Sequence, residues 1–142
     1  MTTTIEQNKA VVRRFFDGWN TRRPEVFDDV LKSDVVRHCE ATPGLEARNL
    51  EQVKEFLRLD TAIFPDSVQT IKLLIAEENL AAAWITYEGT QLGPMGPLPA
   101  SGRKAQFDFG AMFRIEGGKI AEWWVTWDNM TILRALGHLP NS

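Results

Sequence analysis

Three of the chain's five tryptophans stand within residues 122–129, EWWVTWDN, and the stretch closes on a carboxylate, Asp128. A carboxylate among water-excluding rings such as Trp124 and Trp127 is a candidate general acid or base, because desolvation raises its proton affinity. The same Asp128 precedes a helical pattern, where it would serve as an N-cap acceptor and the positive helix end would lower its pKa. Asp108, in FDFG, is a second carboxylate between aromatics. Strict alternation points it away from the face that carries Phe107, Phe109, Ala111 and Phe113, toward a subunit interface or toward Arg103 or Lys104. A bulge before Gly110 would turn it inward, as an acid/base partner for Asp128. His38 ends the short strand-like run DVVRHCE, where it could shuttle a proton near neutral pH or simply satisfy a structural hydrogen bond. Tyr87, the one tyrosine, could with Gln91 orient a substrate carbonyl or hydroxyl; both could equally be satisfied polar groups. His138 follows the last helical pattern and reads as a C-terminal cation or plain surface.

The aromatic side chains describe what such groups would act on. Phe109 shares its strand face with Phe107, Ala111 and Phe113, while Trp123, Val125 and Trp127 share a face of the next run. That surface suits a large, flat, apolar ligand such as a polycycle or a prenylated aromatic. Phe16, Trp19, Phe56, Trp84 and Trp124 are further candidates for contact with it. Each of these rings also fits an ordinary core under helices.

The elements that must position these groups follow from periodicity. Ile5, Val12, Phe15, Phe16 and Trp19 recur at three- and four-residue steps, which predicts a helix with one wide buried face, and Thr4 with Gln7 has capping-box spacing. A shorter helix follows Pro24, a first-turn residue, through Val26, Phe27, Val30 and Leu31. Asn49, with Gln52 three residues on, caps a third helix whose apolar face ends where Pro65 stops it. The runs SVQTIKLLIA, NLAAAWITYEGTQ, RKAQFDFGAMFRIE and KIAEWWVTW then predict an antiparallel meander, turning at Glu78-Asn79, at residues 94–99 and at Gly117-Gly118. A last short helix starts at Asp128 and stops at Gly137. Three helices, a curved sheet of four or five strands and a closing helix make an α+β architecture with the helices on one face of the sheet, and the hollow between them is a natural ligand pocket.

Composition narrows the partners. A chain of 142 residues, 44% apolar and 25% charged, is expected to form one domain with a real core. A net charge of −3 argues against a nucleic-acid surface, which concentrates Lys and Arg. One cysteine, Cys39, and two distant histidines offer neither an internal disulfide nor a metal-ligand spacing, so no metal is expected. The N-terminus has no basic segment followed by an apolar run, and no window reaches the roughly 20 apolar residues of a membrane span. The expectation is a cytoplasmic protein that does not enter the membrane.

The order of EGTQLG, the Gly/Pro loop PMGPLPASGR, FRIEGGKIAEWW and then an Asp before ILRALG resembles the SnoaL-like polyketide cyclases and their ester-cyclase relatives, of the nuclear-transport-factor-2-like cone fold. The first helix pattern and SDVVRH fit the same family, so the resemblance covers nearly the whole chain. It implies a cofactor-independent enzyme that closes or isomerises a ring on an apolar polyketide-like or terpenoid-like substrate, and a homodimer or higher homo-oligomer built on the outer sheet face. It also implies a catalytic aspartate and a histidine partner. Counted inward from Gly118-Lys119-Ile120 and Leu136-Gly137, these fall on Val125 and Ala111, both apolar. Gln91 stands where many relatives carry a histidine, and Asp128 matches a second family aspartate at the strand-to-helix junction. Epoxide opening of the limonene-epoxide-hydrolase type and non-catalytic binding of an apolar ligand are the alternatives.

Overall fold

The computed structural model describes residues 4–42 and 46–140. Helix α1 spans Thr4–Asn20, α2 Glu25–Val30, α3 Leu50–Ile63 and α4 Asn129–Ala135; the strands are β1 Leu31–His38, β2 Val68–Glu77, β3 Leu80–Thr90, β4 Lys104–Glu116 and β5 Lys119–Thr126. The five strands form one sheet in the order β1-β5-β4-β3-β2, with the helices against its concave face. From β2 to β5 the sheet is the expected antiparallel meander. Strand β1, however, pairs with β5 in parallel. The intervening α3 and meander carry the chain back to the starting edge, so β5 meets β1 running the same way.

Local chemistry explains most boundaries. Asn49 caps α3, its side chain accepting from the Gln52 amide at 2.9 Å, while the Gln52 side chain accepts from the Arg48 amide at 2.6 Å. Asp128 caps α4. Thr4 is already helical, so the residue before α1 lies outside the described residues. Pro24 is the residue before α2 rather than in its first turn, and Leu31 is not helical but opens β1 in an extended conformation. Gly117 and Gly118 both have positive φ, 59° and 79°, as a two-residue hairpin turn between β4 and β5 requires.

Register decides which side chains face the helices. Pairing of β3 with β4 is continuous from Leu80 with Arg114 to Thr90 with Lys104, so no bulge interrupts the alternation at Asp108. The register shift between β4 and β5 falls at Arg114/Ile115, toward the other end of the sheet. Inward positions are therefore Ala81, Ala83, Ile85 and Tyr87 on β3, Phe109, Ala111 and Phe113 on β4, and Trp123 and Val125 on β5, all buried.

The narrow end of the resulting cone is filled by rings. Phe15 is the hub, with centroids 5.2 Å from Phe16, 5.3 Å from Phe27, 6.1 Å from Phe113 and 5.3 Å from Trp123. Edge-on and tilted pairs at this spacing add to the stabilisation from burial alone. Helix α2 reaches this core because Gly18 allows close approach: a Cβ there would stand 2.8 Å from Val26 Cγ1.

Candidate functional site

Polar groups collect at the wide end of the cone, where β3 and β5 end, β4 begins, and α3 crosses. Helix α3 presents Phe56 and Asp60 there, four residues apart and hence on one face. Asp60 accepts from Tyr87 Oη at 2.6 Å through one carboxylate oxygen, and from Trp19 Nε1 and Ser67 Oγ, each at 3.0 Å, through the other. Arg22 supports the set by donating to Ser67 Oγ at 2.9 Å. The Tyr87 ring is stacked on Phe107 at 5.1 Å and is edge-on to Phe64. Burial, then the Asp60 charge and the hydrogen bond to it, push the Tyr87 phenol well above its ordinary pKa, so the hydroxyl keeps its proton and acts as a donor.

One helical turn away, the Arg37 guanidinium lies over the Phe56 ring at 4.3 Å and faces Trp127 at 5.8 Å. Alternation along β1 turns Val35, Arg37 and Cys39 inward. The Arg37 amide donates to Ala47 O at 2.8 Å, which brings Ala47 alongside the end of β1. Burial lowers the guanidinium pKa, partly offset by the neighbouring Cys39 sulfur. Trp127, edge-on to Phe109 at 6.4 Å, donates through Nε1 to Asn129, which in turn donates to Ala41 O. The start of α4 is thereby tied to the same rim.

Among the residues singled out from sequence, Phe16, Trp19, Phe56, Tyr87, Phe109, Trp123 and Trp127 face the cone interior. Phe16 and Trp123 belong to the packed narrow end; the others surround or approach the wide end. Trp84 and Trp124 stand on the outer sheet face, 46% and 39% exposed, because their positions on β3 and β5 have the opposite parity. His38 is also outward. It donates to Glu122 at 2.6 Å and stacks on Trp124, away from the polar groups at the wide end. Asp108 is exposed on the same outer face and accepts from Thr86 Oγ1 at 2.6 Å, with Lys72 at 3.9 Å, not from Arg103 or Lys104. Asp128 is exposed. Its bonds from the Thr131 hydroxyl and the Met130 amide hold its pKa below the usual carboxylate value. Asp128, Asp108 and His38 are thus not brought together.

Gln91 is fully buried but committed to the chain itself. Its amide donates to Gly93 O and Pro99 O, and its carbonyl accepts from the Ser101 amide. His138 Nε2 donates to that carbonyl at 2.7 Å. His138 therefore anchors a loop through Gln91, where plain surface or a terminal cation was expected. Gly93 lets this loop pass α3, since a Cβ there would meet Ala62 O at 2.2 Å.

Asp60 and Arg37 were not among the sequence candidates. A signal existed for each. Asp60 interrupts an apolar α3 face, three residues from Leu57, four from Phe56 and Phe64 and seven from Val53, and Arg37 shares parity with Val35 and Cys39. Across the sheet, Ala111 pairs directly with Val125, both inward. The positions where the resemblance puts an Asp/His pair are therefore adjacent, buried and apolar. Two surface cavities of about 450 and 470 Å³ lie elsewhere, one beside the start of α1 and the hairpin turns, one between α1 and β2.

The fold and sequence have clear relatives. Among solved structures, TsrD from Streptomyces laurentii is 27% identical, with a TM-score of 0.83 over 94% of this chain and 96% of its own. IdmH from Streptomyces antibioticus, proposed to be a polyketide cyclase, is 24% identical, with a TM-score of 0.81 over 92% and 99%. An LEH-like epoxide hydrolase from M. tuberculosis is 15% identical, with a TM-score of 0.76 over 94% and 92%; at these last two identities the likeness is one of fold. None of the curated proteins matches the sequence. The model of the SnoaL-like polyketide cyclases matches residues 9–136, spanning every element from α1 to α4, and the chain belongs to that family.

Proposed function

We propose that the protein is a cofactor-independent cyclase or isomerase that closes or rearranges a ring on an apolar, polyketide-like substrate held at the wide end of the cone. The observation that carries this reading is the Asp60 carboxylate bonded to Tyr87 Oη at 2.6 Å beside an aromatic wall. Ala111 and Val125 cannot move protons, whereas the Asp60 carboxylate beside that wall can. In an intramolecular aldol closure Asp60 takes the proton from the acidic carbon. The resulting enolate forms the carbon–carbon bond to a second carbonyl, and the new alkoxide recovers the proton from Asp60. Tyr87 donates a hydrogen bond and does not ionise. The wall contributes by holding the chain in a reactive conformer, a large effect in ring closures.

Asp60→Asn keeps the size and the accepting oxygen but cannot take a proton. Expected is a loss of about 10²–10⁴ in kcat on linear poly-β-ketone esters, read as disappearance of the cyclised isomer by chromatography. Undiminished cyclisation in that variant would overturn the assignment. A second reading, a carrier for an apolar ligand, is favoured by the apolar Ala111/Val125 pair. It predicts no product from any variant, and a ligand retained by freshly isolated protein in native mass spectrometry. We further propose a homodimer formed through the outer sheet face, where Leu73, Trp84, Met112 and Trp124 are exposed.

A further inference from the structure

Arg37 is 7% exposed, yet among the described residues it forms no ion pair, and its Nη1 has no hydrogen-bond partner. Burying a cation without an anion is costly, and structures normally supply the counter-charge from the protein. Here the surroundings are two rings, Phe56 and Trp127, and the Cys39 sulfur. Ring faces compensate only part of the lost hydration. The other buried polar side-chain atom without a partner, Thr42 Oγ1, lies five residues along in the segment that follows β1. The buried side-chain polar atoms without a partner among the described residues thus both fall within residues 37–42.

We propose that Arg37 Nη1 receives a carboxylate of the ligand between the Phe56 and Trp127 rings, so that the protein acts on or binds an apolar acid. A carboxylate fits better than a ketone because it is ionised in solution at neutral pH and brings its charge with it. It fits better than a phosphate because one guanidinium set among aromatic rings brings a single positive charge, which a monoanion balances and a dianion exceeds. The proposal rests on reading the wide end as the ligand site. It adds that the acid group anchors one end of the substrate at Arg37, one turn of α3 from Asp60.

Titration of the protein with 2-naphthoate, 2-naphthamide and 2-naphthyl phosphate, followed by calorimetry, tests it. The expected result is that the acid binds about tenfold or more tightly than the amide, as one charge-assisted hydrogen bond implies. Arg37→Met should abolish that preference while leaving amide affinity within about twofold, since it removes the charge and keeps an apolar stem of similar length. Equal binding of acid and amide to the unaltered protein overturns the anion site while leaving the Asp60 assignment in place, and this comparison needs no variant to fold. Tightest binding of the phosphate, or an acid preference that survives in Arg37→Met, also overturns it. Binding of none of the three naphthalenes overturns both the acid site and the wide end as ligand site.

Discussion

Asp60 holds three donors that come from 41, 7 and 27 residues away in the chain. That separation is why the network is invisible in the sequence, although its one charged member stands on an apolar helix face. Tyr87→Phe removes the shortest of the three bonds without changing ring packing on Phe107. Because a buried hydrogen bond to a charged group contributes about 1.5–3 kcal/mol, urea denaturation should show a loss in that range, and an unchanged midpoint would mean that Trp19 and Ser67 suffice. Parity, by contrast, was legible: alternation alone put Asp108 outside, and the structure has it bonded to Thr86 there. The same rule applied to β1 would have put His38 outside and Arg37 inside. Asp128 satisfies a local rule fully, capping α4 through the Met130 amide and the Thr131 hydroxyl. Asp128→Asn retains the cap acceptor, so thermal melting should stay near that of the parent and turnover with it, whereas Asp128→Ala should lower the melting temperature.

Single polar residues also hold whole elements together. Helices α1 and α3 and the meander were legible because their periodicities are long and because Pro65 and Gly117-Gly118 punctuate them. The parallel β1–β5 pairing was not, since no local pattern encodes which edge a strand joins. At that junction His38, Glu122 and Arg114 form a ladder across β1, β5 and β4. The His38 bond, followed by that from Arg114, holds the Glu122 pKa below its ordinary 4.5. A depressed folded pKa stabilises above the ordinary value and loses its contribution as pH falls through the folded one. Denaturation midpoints between pH 3 and 7 should therefore fall on the acid side in the parent, and Glu122→Gln should flatten that limb; an identical profile in the variant would remove the ladder from the account. The loop after β3 depends likewise on Gln91. Its buried amide serves Gly93, Pro99, Ser101 and His138, and Gln91→Ala should cost about 1–3 kcal/mol and speed amide exchange across residues 92–103.

Seen as a whole, the molecule spends its inner sheet face on the helices and leaves the outer one uncovered. Leu73 and Ile75 are 66% and 68% exposed on edge strand β2, and Trp84, Met112 and Trp124 continue the apolar surface across β3, β4 and β5. Contiguous exposed apolar area of this kind is the usual mark of a contact surface, which is the basis of the dimer proposed above. Polar groups within it are already paired, Asp108 with Thr86 and Glu122 with His38, so a partner would not strand them. A sheet with one bare apolar face is best covered by a second copy, because an isologous contact sets the same residues against themselves. Trp84 is the residue on which to test this: its ring lies across Gly110, where a Cβ would stand only 3.4 Å away, and it therefore projects as a flat, held surface. Sedimentation equilibrium should show a dimer at micromolar concentration, weakened about tenfold or more in Trp84→Glu, since a buried charge without a partner opposes association. The near-UV circular dichroism of the inner aromatic cluster should survive that change, because Phe15 and its neighbours lie on the other side of the sheet. A parent protein that stays monomeric over the same range would mean that this face meets a different partner, and the sheet's outer tryptophans would then report that contact instead.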